Sequence, residues 1–180
     1  FYYSNHITEK KANQYHIICA AIKKDIANYY LNILEKLNLK ITTLDVSSFA
    51  NLNLVWTNEK YNNTLSVIVD LDLSNMDISI LSNRTLEFSR NISIDNQNYK
   101  KAFINTKTLN KTTEDTLETI TQTIVEEIQN ALASCKSIHD SASVEQIHFL
   151  GGGNAASTIV SKIEKQTEVP TNRVKPNNLI

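Results

Sequence analysis

All three glycines of the chain fall in one run, Gly151-Gly152-Gly153, inside "HFLGGGNAAS". The apolar "EQIHFL" precedes the run, and "AASTIVSKIEKQ" follows it with Ala156, Ile159, Val160 and Ile163 at helical spacing. A strand, a glycine turn and a helix in that order bring backbone N–H groups together at a helix start with no Cβ in the way. The elements around the run decide which folds can hold such a turn.

From residue 64 onward, "LSVIVDLD", "MDISILS" and "TLEFSRNISI" read as three strands, the last two joined by a tight turn around Ser82-Asn83-Arg84. Residues 95–111 read as irregular and polar. A long helix is expected from about Thr113, a cap followed by Glu114 and Asp115, to about Ser137. Its stripe is Leu117, Ile120, Ile124, Ile128, Leu132 and Cys135, with Glu126 and Glu127 toward water. "EQIHFL" is a strand, the residues after the glycines a helix, and "VPTNRVKP" a final strand, with one more helix expected beyond Ile180.

Upstream, "FYYSNHIT" and "YHIICAAI" read as a hairpin. Ile26, Tyr30, Ile33 and Leu37 mark a helix closed by Asn38 in a left-handed cap, and "LKITTLDV" returns to strand. "SSFANLNLVW" is a short capped helix carrying Phe49, Leu52, Val55 and Trp56, with Trp56 sealing the junction between the two parts; the polar "TNEKYNNT" follows as a connector. The expected organisation is a partial small αβ subdomain at 1–46, a helix and linker at 47–63, and an α/β subdomain at 64–180. The chain opens on Phe1 already in a strand-like run, which suggests a piece of a longer protein.

A net charge of -1, with 41% hydrophobic and 21% charged residues, describes a soluble globular chain with no field to gather nucleic acid or anionic lipid. No stretch approaches the ~20 apolar residues of a membrane span, so direct membrane insertion is not expected. Cys19 and Cys135 have no metal or redox spacing and read as buried, reduced side chains of a cytoplasmic protein. His6, His16, His139 and His148 share no ligand spacing, and no Ser or Cys sits in a nucleophile pattern. No catalytic residue and no metal site are expected. Of Tyr29 and Tyr30, one is expected in the core and one outside.

Strand, strand, strand, helix, strand, helix, strand resembles the ribonuclease H-like half-domain that actin-type ATPases contain twice, a mixed sheet flanked by helices. In that fold the turn between the first two strands, here Asp70-Leu71-Asp72-Leu73-Ser74-Asn75-Met76-Asp77, faces phosphate. A nucleoside lies on the turn that Gly151, Gly152 and Gly153 occupy here. Candidate nucleotide contacts are therefore Asp70, Ser74, Asn75, Gly151, Gly152 and Gly153, with Asp70 orienting Mg²⁺ through water. Alternatively, Asp70 and Asp72 could join Glu126 or Glu127 in a two-metal nuclease site. Against that stand the absence of a carboxylate in "IHFL" and of a basic footprint.

"ITTLDVSSFANLNLV", "VIVDLDLSNMDISIL" with "LEFSRNISI", "ETITQTIVEEIQNAL" and "IHFLGGGNAA" resemble successive blocks of the PilM family, actin-like proteins of type IV pilus assembly. Residues 1–45 match the end of the family's inserted small subdomain and residues 64–180 its second half; the LDV segment and the glycine turn are shared with FtsA and GspL. The resemblance implies a non-enzymatic cytoplasmic scaffold held at the inner face of the cell membrane through partners. Those partners are the N-terminal peptide of a PilN-like membrane protein, other pilus platform components and motor ATPases. The family's phosphate turn carries glycine where this chain has Asp72 and a hydroxyl where it has Met76. The family's glycine-rich first phosphate loop is absent from these residues, and the segment between Ile94 and Thr113 is short where relatives insert a subdomain. The nucleotide site is therefore expected to be degenerate and no cofactor is expected in this chain. The alternative is an ATP- and Mg²⁺-binding protein with nucleotide-dependent partner binding.

Overall fold

Val67, Val69 and Leu71 alternate with Ile68 along one strand, and all four are at most 1% exposed, so that strand is covered on both faces. In the computed structural model it is the centre of a five-stranded sheet. The structure describes residues 1–11, 14–56, 65–83, 85–94, 97–104, 111–135 and 143–174. The chain divides into two compact units, Phe1–Ala50 and Asn51–Ile180.

In the second unit, β3 (Leu65–Leu71), β4 (Asn75–Ser82) and β5 (Thr85–Ser93) form an antiparallel meander, while β6 (Val144–Gly151) and β7 (Thr171–Arg173) add in parallel. The strand order is β5-β4-β3-β6-β7. The crossover from β5 to β6 carries α3 (Gln97–Ile104) and α4 (Lys111–Cys135), and a 3-10 turn at Gly153–Ala155 leads into α5 (Ala156–Thr167). This is the expected order of elements, with α3 added.

Apolar periodicity explains how the helices cover the sheet. Leu117, Ile120, Ile124 and Ile128 of α4 join Ile159 and Ile163 of α5 and Val67, Val69, Met76, Ile78, Ile147 and Phe149 of the strands in one core. Cys135 belongs to it too, whereas Leu132 is half-buried. Thr121 lies fully buried in this stripe, and its hydroxyl donates to the Leu117 carbonyl at 2.7 Å. The Glu168 N–H closes α5 on the Glu164 carbonyl with a left-handed φ of 58°.

Residues 95–111 were expected to be irregular, but 97–104 are helical. Tyr99 and Phe103 stand one turn apart and stack edge to face at 5.7 Å, so their pairing gives α3 its apolar face. Two aromatics in a polar run are too few for periodicity to show. The long helix begins at Lys111, so Thr113 lies inside it rather than capping it.

The first unit pairs β1 (Tyr2–Lys11) and β2 (Gln14–Ile22) as the expected antiparallel hairpin, followed by α1 (Lys24–Lys36). Asn38 takes the expected left-handed φ, 55°, and donates its N–H to the Glu35 carbonyl. Of α1, Ala27 alone is buried; Ile26, Tyr30, Ile33 and Leu37 are exposed. Tyr29 and Tyr30 are both exposed, contrary to expectation, and meet edge to face at 5.4 Å. Cys19 is exposed, also contrary to expectation, and Cys135 is buried.

"LKITTLDV" is not a strand. Its β-branched residues have no ladder to join, and its end is committed to the next helix, α2 (Ser47–Trp56). There the Val46 carbonyl accepts from Phe49 and Ala50 N–H, and the Val46 N–H donates to Asp45 Oδ1 at 2.8 Å. Leu52 and Val55 of α2 are buried as expected. The linker at 57–63, Arg84, His139 and the side chains of Trp56, Thr113, His6 and His16 lie outside the described residues.

Candidate functional site

Parallel pairing of β3 with β6 sets Leu71 opposite Gly151, so the β3–β4 turn and the glycine turn emerge side by side. The Gly152 N–H donates to the Leu71 carbonyl at 2.7 Å. All three glycines have positive φ, between 52° and 72°.

What the missing side chains make room for differs at each glycine. A Cβ on Gly151 would stand 2.2 Å from the Leu71 carbonyl oxygen, and one on Gly152 would stand 2.7 Å from the Phe149 ring. One on Gly153 would meet the Phe103 carbonyl at 2.7 Å and the Phe103 ring at 2.8 Å. The bare faces expected to receive a nucleoside thus meet protein atoms: β3, the core and the end of α3. Asn154 Nδ2 donates to the Ile104 carbonyl at 3.0 Å, and Arg173 Nη2 to the Gly153 carbonyl at 3.4 Å.

In the β3–β4 turn, the Asp72 N–H donates to the Asn75 carbonyl at 2.9 Å, and the Leu73 N–H to the Asp72 carboxylate at 2.7 Å. The Ser74 carbonyl accepts from Ile94 N–H, and the Ser74 hydroxyl reaches Asn75 Oδ1 only at 3.5 Å. The Tyr99 hydroxyl donates to the Asp72 carbonyl at 3.2 Å from a fully buried ring, and burial pushes its phenol well up. The Asp72 and Leu73 N–H groups of this turn, two of the donors that would face a phosphate, are therefore engaged within the chain.

Asp70, the last residue but one of β3, is half-buried. Its Oδ2 accepts from Asn51 Nδ2 of α2 at 2.8 Å. Burial raises its carboxyl above the usual range, the Asn51 hydrogen bond pulls back, and the charges of Asp77 and Asp72 add to the lift. Asp77, paired across the ladder from Asp70, accepts from Asn91 Nδ2 at 2.7 Å.

The structure therefore brings Asp70, Ser74, Asn75 and the three glycines to one end of the sheet. It does not add Glu126 or Glu127 in a metal site: among the described residues no three His, Cys, Asp or Glu side chains converge to hold a cation. Glu126 accepts from Gln122 on the helix surface, and Glu127 Oε2 lies 3.2 Å from Arg90 Nη1 of β5, an ion pair without hydrogen-bond alignment. His148 is buried on β6. Sequence reasoning missed Asn51, Tyr99, Phe103, Asn154 and Arg173; only the Tyr99 and Phe103 spacing left a signal, and a weak one.

A three-stranded meander whose first strand also pairs in parallel with a glycine-turn strand, under crossover helices, is the actin-like ATPase fold. Solved structures carry the same architecture. A chain of a PilM–PilN type IV pilus biogenesis complex superposes with a TM-score of 0.69 at 17% identity, over 97% of this chain and 56% of that one. A protein of Bacteroides thetaiotaomicron with an actin-like ATPase fold and unknown function superposes with a TM-score of 0.53 at 12% identity, over 99% and 56%. The chain thus spans just over half the length of either structure. The family model of type IV pilus assembly protein PilM matches residues 2–180, and the chain belongs to that family. No curated protein sequence matches it. No helix among the described residues is long and apolar enough to cross a membrane.

Proposed function

We propose that this chain is part of a non-enzymatic cytoplasmic scaffold of a type IV pilus assembly machine, engaging the N-terminal peptide of a PilN-like inner-membrane protein and carrying a degenerate nucleotide site. Other platform components and motor ATPases are further partners. The family match over residues 2–180 carries the reading, supported by the fold shared with a PilM–PilN complex.

Physical chemistry supports the degenerate site. The Asp72 carboxylate would face triphosphate oxygens with like charge, and it already holds the Leu73 N–H. A protein-binding role has a surface to match. The first unit exposes Tyr2, Tyr3, Ile26, Ile33 and Leu37 and contains a cavity of about 330 Å³ walled by residues of β1 and β2 and by Leu44, Asp45 and Val46. Apolar surface of this kind serves protein partners.

Anisotropy titration of a labelled PilN N-terminal peptide with the intact protein tests the reading. Saturable binding with the same Kd in the presence and absence of Mg-ATP is expected. Absence of binding overturns the partner assignment, and a tenfold change in Kd on adding Mg-ATP replaces the scaffold with a nucleotide-dependent binder.

A further inference from the structure

Helix α3 touches both turns of the candidate site. From one turn of helix, the Tyr99 hydroxyl ties it to the Asp72 carbonyl of the β3–β4 turn. From the next, Phe103 lays its ring and carbonyl on Gly153, and the Ile104 carbonyl accepts from Asn154. The two aromatics brace each other edge to face. The fully buried Tyr99 roots the helix in the core of the second unit. The end of α3 is different in kind: Phe103 is half-buried and Ile104 is 60% exposed, so little apolar burial holds this end down beyond Phe103 itself.

We propose that α3 is an intramolecular plug: its C-terminal turn seats Phe103 on the bare backbone of Gly153 and occupies that face of the glycine turn from within. This rests on reading the turns as the remnant of a nucleotide site, and it adds to that reading a second obstruction independent of Asp72. Asp72 blocks the phosphate end by charge and by taking the Leu73 amide; α3 blocks the glycine end by occupancy. A ligand reaching the Gly153 backbone has to lift the end of α3, losing the Phe103 packing and the Asn154 hydrogen bond. The Tyr99 anchor can stay in place.

Mant-ATP titration with Mg²⁺ on the full chain tests this, using Asp72→Gly, Phe103→Ala/Asn154→Ala, and the three substitutions combined. Hydrogen exchange on each variant reads the fold from β3, β4 and β6, and the plug from α3. The expected result is no binding by the wild type and saturable binding by the triple variant at least tenfold tighter than by Asp72→Gly alone. Exchange in α3 should quicken at least tenfold in Phe103→Ala/Asn154→Ala, with the strands unchanged. If Asp72→Gly binds as tightly as the triple variant, if no variant binds, or if α3 exchange is unmoved, the plug is overturned while the degenerate site stands. Tight binding by the wild type overturns both.

Discussion

Asp70 sits where its own charge is unwelcome. Burial raises its folded-state pKa above the ordinary 3.8, Asn51 offsets part of the rise, and Asp77 and Asp72 push the same way as burial. The sign follows from linkage: the folded chain binds this proton more tightly than the unfolded one. The resulting stability is fully present below the ordinary value and is lost as pH rises through the folded pKa. Asp70→Asn keeps an acceptor for Asn51 Nδ2 and removes the charge. It should raise Tm at pH 7 and have a smaller effect near pH 3.5, as thermal melts at the two values would read; a lower Tm at pH 7 would mean that the carboxylate makes a favourable contact that its surroundings do not show. Among residues, the glycines were the most legible feature, because a chain with only three cannot spend them together by accident of composition. Their reason was not legible: Gly153 is bare because Phe103 lies on it, fifty positions away in sequence. Asn51 as the partner of Asp70 left no local mark at all.

Two helices with equally clear apolar stripes have opposite surroundings. On α4, Ile124 is fully buried in the core that the sheet and α5 share, so Ile124→Ala should cost about 2–5 kcal/mol of stability. On α1, Ile33 is 41% exposed, so Ile33→Glu should change stability by less than about 0.5 kcal/mol. Urea unfolding of both variants checks the pair, and a large loss from Ile33→Glu would mean that this stripe is covered. Periodicity reveals which side of a helix is apolar; it does not reveal whether anything packs there. The same limit explains two other differences. "LKITTLDV" has strand composition but no neighbouring ladder, and α3 has a neighbour for both its aromatics but too short a repeat to recognise.

At the level of the molecule, burial is distributed very unevenly. Among the described residues of the first unit only Ala27 and Ser48 are buried, whereas the second unit carries a continuous core from Leu65 to Ile163. Local opening follows burial, so amides of β1, β2 and α1 should exchange roughly a hundredfold faster or more than those of β3, β4 and β6. Exchange mass spectrometry reads this directly; equal protection in both units would show that the hairpin and α1 are held by more than the buried groups described. Element order from residue 64 onward was readable because each strand and helix is long and regular. The division of burial between the units was not, because hairpin and sheet strands look alike in composition.

The central strand acquires its two partners at very different moments of synthesis. β4 follows β3 directly, so the meander can assemble as soon as it leaves the ribosome, but β6 comes only after both crossover helices. Until then one flank of β3 is an open edge, and the Leu71 carbonyl has no Gly152 to receive. The two turns therefore meet only once β6 has emerged, with α5 and β7 still to follow, and a nascent chain stalled before Val144 would display a sticky ribbon in place of a finished domain.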